Sequence, residues 1–65
     1  MDFRSAQSVA KKLAQKLNSE RWYRGVGLRV KAGEVWVEVS VDPMCKNLAS
    51  EQIQEVVDGV KVVVL

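Results

Sequence analysis

A run of alternating residues from Val26 to Val41 constrains the fold of this chain more than any other feature. Apolar residues alternate with glycine, arginine and lysine in residues 26–31, and four valines alternate with Trp36, Glu38 and Ser40 in residues 35–41. Successive side chains of a strand point to opposite faces, so each stretch predicts a strand with one buried face. Gly33 supplies the positive φ that a tight turn needs. Residues 22–41 are therefore predicted to form a β-hairpin.

Helical spacing precedes the hairpin and follows it. Apolar residues recur every three or four positions between about residues 3 and 18, which predicts an amphipathic helix with Asp2 or Ser5 as its N-cap. A loop at residues 43–46 and a second helix, from about residue 48 or 51 to residue 57, are expected next. Gly59 is interpreted as the residue that ends this helix.

A third strand is predicted over residues 60–65, where valine dominates. The order is then helix, strand, strand, helix, strand, and a crossover through the second helix would return the third strand parallel to the second. We expect an α+β fold: a three-stranded mixed sheet of order 2-1-3, with two helices packed on one face. A chain of 65 residues is enough for a single domain, residues 1–65.

The composition excludes several kinds of function. The chain has no histidine and one cysteine, which excludes histidine-based catalysis, histidine metal sites and an internal disulfide. No apolar run approaches the roughly 20 residues of a membrane span, and residues 1–5 lack the apolar core of a signal peptide. We therefore expect a cytoplasmic protein that is not an enzyme and that uses no cofactor and no metal.

The face of the sheet turned away from the helices is the leading candidate site. Two helices can cover only one face, so apolar side chains on the other face would contact water in a monomer, and such patches often mark interfaces. The sequence predicts a small module that self-associates or binds a protein partner through this face, or through strand addition at a sheet edge. The residues concerned are Arg29, Trp36, Glu38, Val63 and Leu65.

A basic surface on the first helix and the connector that follows it is an alternative site. Its cations could contact the phosphates of a nucleic acid, with Trp22 or Tyr23 stacking on bases. A net charge of only +2 equally fits a solvated helix face with both aromatic residues tucked into the edge of the core. The cations concerned are Lys11, Lys12, Lys16, Arg21 and Arg24.

Cys45 is the third candidate. A thiol near a helix N-terminus and a cation, here Lys46, can act as a nucleophile or metal ligand, although a lone cysteine is more often a small apolar residue. Residues 33–45, followed by a helix and by residues 59–62, resemble the small domain of metal–sulfur cluster assembly proteins. That resemblance covers residues 22–65 and implies a role for Cys45 in iron–sulfur handling.

Overall fold

The computed structural model of the protein describes residues 3–65, and its central feature is the predicted hairpin. Strand β1 (Tyr23–Lys31) pairs antiparallel with strand β2 (Glu34–Val41). The two residues between them, Ala32 and Gly33, have φ values of 53° and 79°. Both therefore occupy the left-handed region, as a two-residue hairpin turn requires. The prediction of the hairpin is confirmed.

The first helix, α1 (Phe3–Leu17), lies where the apolar spacing places it. Its buried residues are Ala6, Val9, Leu13 and Leu17, which repeat at three- and four-residue intervals. The prediction of the helix is confirmed. Of the two expected caps, Ser5 lies inside the helix and so is not its N-cap, and Asp2 lies outside the described residues. The face opposite to the buried stripe carries the lysines and faces water.

The second helix begins earlier than predicted and ends earlier. The Asp42 side chain accepts a hydrogen bond from the Met44 amide at 3.0 Å, and the proline between them suits a first helical position. A short 3₁₀ helix therefore forms at Pro43–Cys45, where a loop was expected, and helix α2 (Lys46–Gln52) follows it. The prediction of a helix reaching residue 57 is wrong.

Residues after α2 form a second hairpin that sequence reasoning missed. Strand β3 (Val56–Val57) pairs antiparallel with strand β4 (Val60–Val64). Asp58 and Gly59, with φ values of 49° and 77°, repeat the backbone geometry of the first turn. Asp-Gly between β-branched residues is a strong hairpin signal, and here it does not end a helix.

The sheet has four strands in the order β1-β2-β4-β3. The α+β class is therefore correct, but the prediction of a three-stranded sheet of order 2-1-3 is wrong. Strand β4 is parallel to β2 and lies directly beside it, with Val37 opposite Val62 and Val39 opposite Val64. This arrangement encloses the valine-rich β2 between two strands, whereas pairing with β1 would have left one side of β2 open.

One hydrophobic cluster joins both helices to the same face of the sheet. Four valines of β2 contribute to it, and so do the buried residues of α1 and Ala49 of α2. Trp22, in the connector between α1 and β1, is only 3% exposed and belongs to this cluster. The remaining members are Ile53, Val60 and Val62.

Candidate protein-interaction surface

The predicted site residues lie together on the sheet face opposite the buried valines. In the ladder Arg29 is opposite Trp36, and Glu38 is opposite Val63. Directly paired residues point to the same side of a sheet, so these four share one face. Leu65 extends this face, since its amide donates to the Val39 carbonyl oxygen at 2.9 Å and continues the ladder of β4. We call this surface the outer face.

Trp36 is held in place by polar neighbours. Its indole Nε1 donates to Glu38 Oε2 at 3.3 Å, and Arg29 Nε donates to the same oxygen at 3.3 Å. Lys61 Nζ lies 5.7 Å from the centroid of the Trp36 ring, within the range of a cation–π contact. The indole therefore has a defined orientation although it is only half-buried.

Three further apolar side chains lie on the outer face and form with Trp36 what we call the apolar strip, which Lys61 interrupts between Trp36 and Val56. Leu65 is 50% exposed and Val63 is half-buried. Val56 is 59% exposed and is paired with Lys61, so it lies on the same side. Sequence reasoning missed Val56 because it assigned this residue to a helix. It also missed the contact of Lys61 with Trp36, because the predicted strand order placed β4 beside β1.

A groove borders this strip at the edge of the sheet. Strand β3 is only two residues long, so it covers β4 over a short distance. The adjoining groove has a volume of about 600 Å³ and is lined largely by apolar side chains, among them Ile53, Val56 and Val63. The apolar part of the outer face therefore has both a flat region at Trp36 and a concave border.

The predicted basic surface is divided by ion pairs. Lys12 Nζ lies 3.0 Å from Asp58 Oδ2, and Arg24 Nη2 lies 3.6 Å from Asp42 Oδ2. Each carboxylate offsets part of the positive potential that would attract a phosphate. Trp22 is buried and cannot stack on a base, which leaves the partly buried Tyr23 as the one proposed stacking residue that is accessible. Lys11, Lys16 and Arg21 are exposed.

Cys45 lies at the end of the 3₁₀ helix and packs against the core. Its side chain is partly buried, which fits the apolar interpretation of this residue. Across residues 3–65, no group of three or more cysteine, aspartate and glutamate side chains is arranged to hold a metal ion.

Comparison of the chain with models of protein families, with curated proteins and with solved structures finds no match. The resemblance of residues 22–65 to cluster assembly proteins therefore receives no support from relatives. Within the part of the chain that the structure describes, no helix is long and apolar enough to cross a membrane.

Proposed function

We propose that this protein is a non-catalytic interaction module that binds a protein partner through the outer face. The observation that carries the proposal is Trp36, which is partly exposed on the sheet surface and oriented by Glu38 and Lys61. A tryptophan that is already oriented loses little conformational freedom on binding, and tryptophan is enriched among the residues that dominate binding energy.

The neighbours of Trp36 support the same proposal. Leu65 and Val56 expose half or more of their surface on the same face as Trp36, and both helices pack on the opposite side of the sheet. Arg29, Glu38 and Lys61 place both signs of charge among the apolar side chains, with Glu38 opposite Val63 and Lys61 between Trp36 and Val56. A partner that fits would present apolar side chains interspersed with both signs of charge.

The nucleic-acid alternative receives less support from the same geometry. Two of its five cations are paired with carboxylates, and one of its two proposed stacking residues is buried. A cytoplasmic location fits the single cysteine, which has no partner for a disulfide within the chain. We propose this location together with the interaction role.

The test compares two leucines that are equally exposed on different surfaces. Leu65 is 50% exposed on the outer face, and Leu48 is 49% exposed on α2. Affinity capture from cell extract, quantified by mass spectrometry, would compare the wild type with Leu65→Asp, Trp36→Ala and the control Leu48→Asp. We expect Leu65→Asp and Trp36→Ala to lose the same captured protein, and Leu48→Asp to retain it.

Circular dichroism should show that all the variants remain folded, since each changed side chain is at least partly exposed. A capture profile that is the same for all four proteins would contradict the proposal. Loss of the partner in Leu48→Asp alone would assign binding to α2 instead.

A further inference from the structure

Strand β1 offers an unpaired edge at one side of the sheet. Among residues 3–65 it pairs with β2 alone, and the sheet order places it at the border. The opposite border is different, because β3 is very short and the Glu55 carbonyl oxygen beside it accepts a hydrogen bond from the Val62 amide. An exposed strand edge is a template for pairing with another strand.

The first turn determines which backbone groups of β1 are free. A two-residue turn makes Lys31 and Glu34 a hydrogen-bonded pair, and such pairs alternate along an antiparallel ladder. Arg29 and Gly27 therefore direct their backbone groups to β2. The backbone groups that point to the open edge are those of Val26, Leu28 and Val30. The side chains of these three residues lie on the helix-covered face of the sheet.

That face is incompletely covered along β1. Val26 and Leu28 are only half-buried, and Val30 is 60% exposed. Helix α1 adds apolar surface on this side. Lys12 and Lys16 border the groove toward residues 52–57, and by helical spacing Phe3, Ala10 and Ala14 lie on the opposite flank of α1, toward β1.

A second copy of the chain fits this edge better in one register than in the registers shifted toward the turn. Antiparallel pairing centred on Leu28 lets Val26, Leu28 and Val30 all form backbone hydrogen bonds with the second copy, with Val26 opposite Val30. On the outer face it places Arg29 opposite Gly27 of the second copy and Lys31 opposite Gly25. Shifts toward the turn would place Arg29 opposite another Arg29 or opposite Lys31, and like charges in direct opposition are unfavourable.

Charge complementarity supports the same register. Gly27 is paired with Glu38 in β2, and a Cβ built on Gly27 meets no atom within 4 Å. The Arg29 side chain of one copy can therefore cross Gly27 of the other and approach its Glu38. Within one chain Glu38 already binds Arg29 at 3.3 Å, so this carboxylate is suited to a guanidinium.

We infer that two copies of this chain associate through antiparallel pairing of β1 with β1, centred on Leu28, into one continuous sheet. The pairing is independent of any partner at Trp36. It would place two outer faces side by side, with the two Trp36 side chains separated by three strand spacings, about 14 Å across the sheet.

A pair of opposite charges at one position tests this register. Gly27→Lys and Gly27→Glu add similar bulk where space is open, but only the lysine opposes Arg29 of the second copy. We expect sedimentation equilibrium to show a wild-type dimer, about tenfold weaker association in Gly27→Lys, and association in Gly27→Glu at least as strong as in the wild type.

The two variants should rank in the opposite order in the stability of the isolated chain, because residue 27 is also opposite Glu38. Lysine attracts that carboxylate and glutamate repels it, so a mere folding defect predicts the reverse order of the two variants. A wild type that remains monomeric at millimolar concentration overturns the inference. Equal association in all three proteins, or equal loss in both variants, overturns it as well.

Cysteine cross-linking provides a second readout. In a Cys45→Ser background, Leu28→Cys would face itself across the axis with Cα atoms about 5.5 Å apart, within the range that a disulfide spans. Val30→Cys would face Val26 and should remain reduced. Equal cross-linking of both variants, or none in Leu28→Cys, would overturn the register. Trp36→Ala should leave cross-linking unchanged, which separates this test from that of the outer face.

Discussion

Each side of the sheet has a tryptophan, and the two indoles differ in burial and in hydrogen bonding. Trp22 on the inner side is 3% exposed, and its Nε1 has no hydrogen-bond partner among residues 3–65. Trp36 on the outer face is partly exposed, but its Nε1 is bonded to Glu38 and its ring faces Lys61. The buried indole therefore lacks the polar contact that the exposed one has.

The difference separates a tryptophan that stabilises the core from one that the fold leaves partly in water. Burial of the apolar surface of an indole stabilises the fold by roughly 4–6 kcal/mol. This gain exceeds the roughly 1–3 kcal/mol that an unmade hydrogen bond costs. Trp22 thus serves the core despite its free N–H group. Trp36 contributes less burial, and its polar contacts orient a side chain that the fold does not need to bury. This contrast supports binding as the role of the outer face.

The largest expected effect comes from placing a charge on the inner face. Val37 is completely buried, and Val37→Asp would leave an unpaired carboxylate in the core. We expect the cooperative thermal transition, followed by circular dichroism, to disappear. Ser40→Asp, at an exposed position of the same strand, should unfold within a few degrees of the wild type. A sharp transition in Val37→Asp would contradict the assignment of the inner face.

Truncating each tryptophan compares the faces directly. Trp22→Ala should lower the free energy of unfolding by about 3–5 kcal/mol, because it opens a cavity in the core. Trp36→Ala should lower it by less, about 2 kcal/mol, because part of the Trp36 surface is in water and its loss opens no cavity in the core. Urea denaturation measures both values. Equal losses would mean that Trp36 is a structural residue, which would weaken the proposed binding role.

A conservative change at each position isolates the hydrogen bond. Trp22→Phe removes an N–H donor that has no partner among residues 3–65, and with it the cost of burying that donor. This gain offsets part of the packing that the smaller ring loses, so we expect a free energy of unfolding within about 1 kcal/mol of the wild type. Trp36→Phe removes a donor bonded to Glu38 and should cost about 0.5–1 kcal/mol. A loss in Trp22→Phe as large as in Trp22→Ala would show that the indole N–H group has a partner.

The smallest effect concerns the contact between Lys61 and the Trp36 ring. A double-mutant cycle of Lys61→Gln with Trp36→Leu should give a coupling free energy of about 0.5 kcal/mol, typical of an exposed cation–π contact. Lys11→Gln, on the exposed face of α1, provides a control and should show no coupling to Trp36. Coupling that vanishes for Lys61 as well would leave Glu38 alone to orient the indole.

Local patterns predicted the hairpin and α1 because period-two and period-3.6 spacing act over a few residues. The same alternation placed Arg29, Trp36 and Glu38 on one face, and placed Val63 and Leu65 on that face too, although the strand order was wrong. Alternation determines the face to which a residue belongs, whereas the neighbouring strand depends on contacts between distant parts of the chain.

The wrong predictions after residue 52 came from a sequence pattern that fits two different structures. Asp58-Gly59 can end a helix or close a hairpin, and the valines on both sides decide in favour of the hairpin. Because these residues were assigned to a helix, the predicted sheet lacked β3 and the predicted outer face lacked Val56. The pairing of Lys61 with the Trp36 ring depends on β4 lying beside β2, which no short-range pattern reveals.

The position of β4 has a consequence for how the protein folds. Strand β4 follows the other strands in the sequence, yet it lies inside the sheet between β2 and β3. The first hairpin can form within microseconds, whereas joining Val37 to Val62 requires closure of a long loop. Until that happens β3 has no partner and the core is open on one side. Folding should therefore have a single barrier, at the insertion of β4, with the hairpin already formed in the transition state.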